Sequence, residues 1–259
     1  MKNLLLLSNG TLAGQGFLEY ARPWIAEHFK ASPESPKTIL FVPYALPYPL
    51  KDYDEYVQKA EQALAPLGIK VISPHTSDNP AALLDKVDGV FIGGGNTFEL
   101  LDKLKKTGLL KAIKEKVEAG MPYMGASAGT IVVGPTLMNT NDMPDAWPES
   151  PEAMGLVPFQ INPHYVDGKF YYEEDGKIVP YNGESRSDRI NGWHSRSGNI
   201  LPVVALKEGT ALRIKGKDVE LLGGKSAKIF QKDKDPITVE DGNALSVLLT
   251  RQDKSVSWP

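Results

Sequence analysis

Residues 123–133 read YMGASAGTIVV, in which Ser127 stands between Gly125 and Gly129. A short approach typical of a strand runs into this turn of small residues, and an apolar, helix-forming segment follows. Two interpretations are open. The small residues can simply allow close packing of a tight strand-to-helix turn, with Ser127 as the helix cap. Alternatively, the pattern is Gly-x-Ser-x-Gly, a sharp turn that exposes a serine hydroxyl as a nucleophile.

Strand-like and helix-like segments alternate through the first half of the chain. The pattern predicts strands over residues 4–8, 38–42, 68–73, 87–93 and 121–124, and helices over residues 16–29, 52–65, 97–104 and 109–118. Such alternation predicts an α/β fold with a doubly wound, mostly parallel sheet and helices on both faces. Ligands bind at the carboxyl ends of the strands of such a sheet. The GGGN segment at residues 93–96 and the GASAG turn are therefore expected on the same rim.

The second half of the chain has shorter predicted elements. Residues 134–160 look like a loop, residues 169–181 like a hairpin around Asp175 and Gly176, and residues 201–231 like short β segments. No change in composition is sharp enough to mark a boundary. We therefore predict a single domain over residues 1–259.

Composition excludes several classes of function. The net charge of -3 and the pI near 5.9 argue against a nucleic-acid partner. No apolar run is long enough to span a membrane, and the absence of cysteine removes disulfides and thiolate chemistry. No cluster of His, Asp and Glu has metal-ligand spacing, so neither a metal nor a cofactor is expected. A cytoplasmic location is the default, and a homodimer is one alternative for the oligomeric state.

A serine nucleophile needs a base, and histidine is the usual base near neutral pH. The chain has four histidines. We expect His28 on the surface of the first helix, His75 in a turn and His194 in a polar loop. His164 follows an apolar run in FQINPH. A proline-stiffened turn there can hold its imidazole rigidly as the base; alternatively, His164 is a loop histidine bonded to the backbone.

A triad also needs an acid that orients the imidazole. Asp142, in TNDMP, lies between Ser127 and His164 in the chain, and Glu208 lies between an apolar run and a glycine turn. Spacing does not decide between them. The GGGN segment is a phosphate loop, a plain tight turn or part of an oxyanion hole; the first does not match G-x-G-x-x-G and lacks a following lysine.

Several motifs occur together in one order along the chain: LLLLSNGTL, GGGNTFELL, GASAG, TNDMP, FQINPH, GESRSDRI and KEG. In this combination the chain resembles peptidase E, the α-aspartyl dipeptidase family of serine peptidases, over most of its length. The resemblance implies a fold related to class I glutamine amidotransferases, with Ser127 where those enzymes carry a cysteine. It also implies hydrolysis of dipeptides with an N-terminal aspartate, and thus a small peptide as substrate.

The resemblance places the nucleophile at Ser127 and the base at His164. The third member falls on Asp142 or on Glu208, and we prefer Glu208 because a carboxylate at a strand end can be held rigidly against the imidazole. The oxyanion donors are expected to be the N–H groups of Ala128 and of a glycine in GGGN, Gly95.

The family's substrate preference requires a cation for the aspartyl β-carboxylate. Arg186 and Arg189, in SRSDRI, are the candidates, because an arginine can bind a carboxylate with two hydrogen bonds, although both are equally compatible with a solvated helix face. Asn96 is placed with them among the substrate-binding residues. Ala126 and the dipeptide at residues 130–131 depart from the family pattern. Residues 165–182 look like an insertion relative to the family.

Two alternatives to this function remain from the sequence. One is a cyanophycinase-like enzyme that cleaves β-aspartyl-arginine bonds, and the other is a non-catalytic module that binds a small molecule on the same rim. The residues named above do not distinguish these alternatives from an aspartyl dipeptidase.

Overall fold

We describe the fold from a computed structural model, which covers residues 1–47, 52–196, 198–240 and 242–249. The strands in chain order are β1 (Asn3–Leu7), β2 (Lys37–Val42), β3 (Ile69–Ile72), β4 (Gly89–Ile92), β5 (Tyr123–Ala126), β6 (Gln160–Tyr165), β7 (Tyr171–Glu174), β8 (Lys177–Pro180), β9 (Val203–Lys207), β10 (Ala211–Lys215), β11 (Asp218–Leu222), β12 (Ala227–Phe230) and β13 (Ile237–Val239). The α-helices are α1 (Arg22–Phe29), α2 (Tyr53–Leu64), α3 (Thr97–Lys106), α4 (Leu109–Glu118), α5 (Ala128–Ile131), α6 (Arg186–Ser195) and α7 (Asn243–Leu249).

The largest sheet has seven strands in the order β11-β10-β1-β5-β4-β2-β3. Its strands from β1 to β3 are all parallel to their neighbours, whereas β10 and β11 add an antiparallel extension beyond β1. The mostly parallel sheet predicted from the sequence is confirmed. Its carboxyl rim carries the segments that follow β1, β2, β4 and β5.

The apolar run in β1 shows why helices cover both faces of this sheet. Leu4 and Leu6 pack in a core cluster with residues of α3 and α4, whereas Leu5 and Leu7 pack in a second cluster with residues of α1 and α2. All four leucines are fully buried. Because successive residues of a strand point to opposite faces, both faces are covered, and the doubly wound α/β fold is confirmed.

A second sheet, in the order β13-β12-β9-β6, packs on the face that carries α3 and α4. Ile161 of β6 and Leu206 of β9 belong to the same core cluster as Leu4 and Leu6. Strand β6 runs parallel to β9, so the carboxyl ends of both strands lie together. This arrangement brings two distant parts of the chain to one edge, beside the rim of the larger sheet. The single domain over residues 1–259 stays a prediction.

Strands β7 and β8 form the predicted hairpin between β6 and α6. Its turn residues Asp175 and Gly176 have φ angles of 51° and 72°. A two-residue turn of this kind needs positive φ at both positions, which explains the Asp-Gly sequence. Except for Val179, which is half-buried, every residue of the two strands is exposed.

Two expectations for histidines are wrong. His28 is buried at the end of α1, with its ring edge-on to Phe29, because this end of the short helix packs into the core. Burial lowers the pKa of His28 to about 3. His194 lies in α6 rather than in a loop, and it is buried with Nε2 2.9 Å from the Leu201 carbonyl oxygen. None of the described helices is long and apolar enough to cross a bilayer.

Candidate active site

Ser127 lies at the junction of β5 and α5, where its backbone has φ 52° and ψ −111°. A positive φ at a residue with a side chain costs conformational energy, and such strain is concentrated at functional sites. The two flanking glycines are required by packing. A Cβ on Gly125 would overlap the carbonyl group of Gly129, and a Cβ on Gly129 would overlap that of Ile92. The strand-turn-helix elbow predicted from Gly-x-Ser-x-Gly is therefore present, and close backbone contact explains its spacing.

The imidazole of His164 lies between Ser127 and Glu208. Its Nε2 is 2.8 Å from Ser127 Oγ, and its Nδ1 is 2.7 Å from Glu208 Oε1. A carboxylate only accepts hydrogen bonds, so Nδ1–H donates to Glu208 and Nε2 accepts from the serine hydroxyl. The side chains of His164 and Glu208 are 35% and 51% exposed, which leaves the pair open to a small molecule.

Backbone irregularity places His164 beside Ser127. The pairing of β6 with β9 shifts register between Asn162 and Tyr165, and His164 has a φ of 55°. Its backbone N–H donates to Ser8 Oγ at 2.9 Å, and Ser8 Oγ in turn donates to the Leu206 carbonyl oxygen at 2.9 Å. One buried serine after β1 thus joins the large sheet to both strands that carry the base and the acid.

Asn9 has the matching role for the acid. Its Oδ1 accepts from the N–H of Gly209, the residue after Glu208, at 2.9 Å. The sequence interpretation gave Ser8 and Asn9 no role. A usable signal existed, because two polar residues directly follow the four leucines of β1 at the carboxyl rim of the sheet, where they are buried.

Asp142 lies at the same cavity but does not contact His164. Its Oδ2 accepts from the backbone N–H of Thr97 at 2.8 Å and from the Thr97 hydroxyl at 2.5 Å. Asp142 therefore ties the loop after α5 to the start of α3. Of the two acids left open by the sequence, the structure joins Glu208 to the imidazole.

Asn96, predicted to bind substrate, has its side-chain amide engaged by the protein. Its Oδ1 caps α3 by accepting from the N–H groups of Phe98 and Glu99, at 2.9 and 3.3 Å. Its Nδ2 donates to the Met143 carbonyl oxygen at 2.7 Å and to Asp145 at 2.9 Å. These four contacts give Asn96 a structural role in holding the loop, and its binding role stays a prediction.

The GGGN segment faces the elbow. A Cβ on Gly94 would lie 3.0 Å from the Cβ of Ser127, so the two backbones approach closely. The N–H of Gly94 donates to the Tyr56 hydroxyl at 2.9 Å. Within the described part of the chain, the N–H groups of Gly95 and Ala128 have no acceptor. Both are therefore available to a bound molecule.

The two arginines differ in their surroundings. Burial and the nearby Arg189 charge lower the pKa of Arg186, while the carboxylates of Asp142 and Glu208 raise it. Arg186 is thus half-buried and within electrostatic range of both acids. Arg189 is exposed, and its Nε is 3.7 Å from Glu184. The two arginines are therefore not equivalent: the carboxylates of Asp142 and Glu208 act on the pKa of Arg186, whereas Arg189 pairs with Glu184.

A cavity of about 950 Å³ opens beside Ser127 and His164. Gly94 and Gly95 line it on the rim, and α2 contributes charged groups of both signs, among them Lys59. The cavity is large enough for a dipeptide, since ligand pockets typically measure about 300–1,000 Å³.

Comparison with known proteins places the chain in a family. The family model described as "Peptidase family S51" matches residues 4–222. The chain is 43% identical over 247 residues to peptidase E of Streptomyces coelicolor, covering 95% of both chains. It is 44% identical over 233 residues to a Drosophila melanogaster protein named "Probable alpha-aspartyl dipeptidase", covering 90% of this chain and 91% of that one.

A solved structure gives the same result for the fold. A Listeria monocytogenes protein described as a peptidase E superposes with a TM-score of 0.63 at 26% identity. The match covers 86% of this chain and 98% of that one. Both the sequence and the structure comparisons thus extend over most of the molecule. The chain belongs to peptidase family S51.

Proposed function

We propose that this protein is a serine dipeptidase that hydrolyses dipeptides with an N-terminal aspartate, Asp-X. The observation that carries the proposal is the continuous hydrogen-bonded chain from Ser127 through His164 to Glu208 at a strained elbow. A nucleophile, a base and an orienting acid within hydrogen-bond distance are the signature of an activated serine. The relative named for α-aspartyl dipeptidase activity supports the substrate class.

The proposed reaction begins when Ser127 Oγ attacks the peptide carbonyl carbon. His164 Nε2 takes the hydroxyl proton as the C–O bond forms, and then gives that proton to the leaving amine as the C–N bond breaks. A water molecule next attacks the acyl carbon and gives a proton to His164 Nε2, and His164 returns that proton to Ser127 Oγ as the ester bond breaks and the aspartate product leaves. Glu208 keeps Nδ1 protonated and stabilises the imidazolium that forms in each step.

The oxyanion of each tetrahedral intermediate needs two fixed donors. Ala128 N–H and Gly95 N–H are our assignment, because they have no acceptor among the described residues while the N–H of Gly94 is already bonded to Tyr56. Preorganised backbone donors of this kind are worth about 10²–10³ in kcat each. Gly95 has a φ of 142°, and a Cβ at this position would overlap the Ala45 carbonyl group, so the donor position requires glycine.

Arg186 is our candidate for the aspartyl β-carboxylate. It is half-buried, and the nearby carboxylates of Asp142 and Glu208 raise its pKa, which supports a position close to the triad. A guanidinium that is partly removed from water binds a carboxylate with two charge-assisted hydrogen bonds. The chemistry needs neither a metal nor a cofactor, and we expect the enzyme to act on small peptides in the cytoplasm.

The substrate assignment is tested by comparing Asp-Leu with Asn-Leu. The amide has nearly the shape of the carboxylate but cannot neutralise Arg186. A site built around such a partner rejects the analogue by about 10⁴, whereas a pocket that selects by size gives only about 10 to 200-fold. We expect kcat/KM to favour Asp-Leu by more than a size pocket allows.

Arg186→Met should remove that preference, and Arg189→Met should reduce it much less. The opposite ranking would move carboxylate binding to Arg189. Wild-type rates for Asp-Leu and Asn-Leu within about tenfold of each other, a difference that size alone can give, would reject the aspartyl assignment.

A further inference from the structure

A buried tyrosine connects the helix of Arg186 to the sheet of His164. The hydroxyl oxygen of Tyr165, on β6, is 2.9 Å from Ser187 Oγ on α6 and 3.1 Å from Asp167 Oδ1. Tyr165 is 1% exposed, and its ring packs edge-on against Phe230 with a centroid distance of 5.8 Å. The tyrosine ring is thus fixed by the core, and its hydroxyl reaches the first turn of the helix.

The direction of these hydrogen bonds follows from Asp167. Burial raises the pKa of this carboxyl, but hydrogen bonds from Lys207, Lys228 and Tyr165 outweigh burial and hold the pKa at about 2. The two lysine ammonium groups lie 2.8 and 2.5 Å from the carboxylate oxygens. Above about pH 4 the group is therefore an anion that only accepts.

The number of hydroxyl protons then allows one arrangement of the two hydrogen bonds. Tyr165 has a single hydroxyl proton, and it must donate that proton to Asp167. The oxygen of Tyr165 consequently accepts from Ser187, whose hydroxyl is the donor at 2.9 Å. The charged network of Asp167, Lys207 and Lys228 therefore sets the direction of the hydrogen bond between Ser187 and Tyr165.

The position of this hydrogen bond relates it to the active site. Tyr165 follows His164 on β6, and Ser187 follows Arg186 on α6. Lys207, which contacts Asp167, directly precedes Glu208. Tyr165, Ser187 and Lys207 are thus each one residue away from a group of the proposed site.

Among the described residues, the Tyr165–Ser187 bond is the side-chain hydrogen bond that attaches the first turn of α6 to the sheet. Its buried residues are Ile190 and His194, which lie in the second and third turns. Within α6, Ser185 and Asp188 pair with each other in a capping box, which stabilises the helix but does not attach it to the sheet. Removal of the Tyr165–Ser187 bond would therefore free the turn that carries Arg186.

We propose that Tyr165 and Ser187 are positioning residues for substrate recognition: their hydrogen bond sets the distance between Arg186 and the Ser127–His164 pair. This inference rests on the proposed function, in which Arg186 binds the substrate β-carboxylate. The bond acts through Arg186 and does not itself contact the peptide. Its loss should consequently weaken selection of aspartate more than the chemical step.

The test is a double-mutant cycle with Tyr165→Phe, Ser187→Ala and the combined variant, all in the full-length protein. We measure kcat and KM for Asp-Leu and for Asn-Leu, and record chemical unfolding of each variant in parallel. Each single substitution should lower the Asp-over-Asn ratio by about 3- to 10-fold, the range that loss of one hydrogen bond gives. The loss should appear mainly in KM for Asp-Leu.

The Asp-over-Asn ratio of the combined variant should equal that of the more impaired single variant, because both substitutions break the same bond. Two matched controls remove a hydroxyl elsewhere. Ser195→Ala removes a hydroxyl at the other end of α6 that donates to the Gly192 carbonyl. Tyr171→Phe removes one from the exposed strand β7. Both controls should leave the ratio unchanged.

Equal losses on Asp-Leu and Asn-Leu, or reduced stability with an unchanged ratio, would make the bond merely structural and overturn the inference. Additive effects in the cycle would overturn it as well. Failure of the proposed function is recognised separately, because the wild type would then lack the Asp-over-Asn preference and Arg186→Met would change nothing. In that case the positioning role falls together with the aspartyl assignment.

Discussion

Ser127 and His164 both have a positive φ, 52° and 55°, but the chain holds them in that conformation by different means. At Ser127 the requirement is for the glycines two residues before and after it, which let the backbone pack closely on itself and on Ile92. At His164 the causes are distant, because Ser8 binds its N–H from 156 positions away and Glu208 binds its ring from 44 positions away.

This difference separates what each half of the site needs. The nucleophile is fixed by close backbone contacts that the two glycines allow, and the Gly-x-Ser-x-Gly pattern marks those glycines in the sequence. The base and acid are fixed by side-chain hydrogen bonds between two sheets. We expect substitutions in the first half to affect chemistry directly, and substitutions in the second half to affect it through alignment.

The largest effect is expected for Ser127→Ala. The substitution removes one hydroxyl from the turn, and alanine is expected to keep the fold. Loss of a triad serine typically costs about 10⁶ in kcat. Steady-state hydrolysis of Asp-Leu, together with circular dichroism as the folding control, measures this effect. A variant that retains a tenth of the wild-type kcat would contradict a serine mechanism.

The next effect distinguishes the two acids. Glu208→Gln removes the acceptor for His164 Nδ1–H, and the analogous change in a triad costs about 10⁴ in kcat. Asp142→Asn leaves the contacts of the imidazole unchanged and alters the bonds to Thr97 and the charge near Arg186, so its cost in kcat should be clearly smaller. Parallel kinetics on the two variants compare them directly. If Asp142→Asn is the more damaging, the triad role belongs to Asp142.

The smallest effect is expected for Ser8→Ala, which breaks the contact between the sheets but changes no catalytic side chain. His164 N–H and the Leu206 carbonyl oxygen each lose a partner. An unsatisfied buried group costs about 1–3 kcal/mol, and misplacement of a reactive group by about 1 Å can cost up to 10²-fold in rate. The free energy of unfolding measured in urea and kcat should both fall. Unchanged kcat in a destabilised variant would limit Ser8 to a structural role.

The same difference explains how much could be predicted from the sequence. The parallel sheet, the helices on both faces and the elbow follow from local periodicity and from the spacing of Gly125 and Gly129. The pairing of Glu208 rather than Asp142 with His164 depends on the parallel pairing of β6 with β9, which local patterns do not specify.

The wrong expectations have the same origin. His28 and His194 have polar neighbours in the sequence, yet tertiary packing buries both side chains. Arg186 and Arg189 lie three positions apart on one helix and have equal standing in the sequence. Their burial and the charges around them distinguish them in the structure.

The central claim is that Ser127 is the activated nucleophile, and labelling with a fluorophosphonate followed by peptide mapping tests it most directly. An activated serine forms a covalent phosphonyl adduct far faster than an ordinary surface serine does. We predict one adduct, located on Ser127, absent from Ser127→Ala and formed much more slowly in Glu208→Gln. An adduct on a different serine, or no adduct on protein that actively cleaves Asp-Leu, would contradict the account.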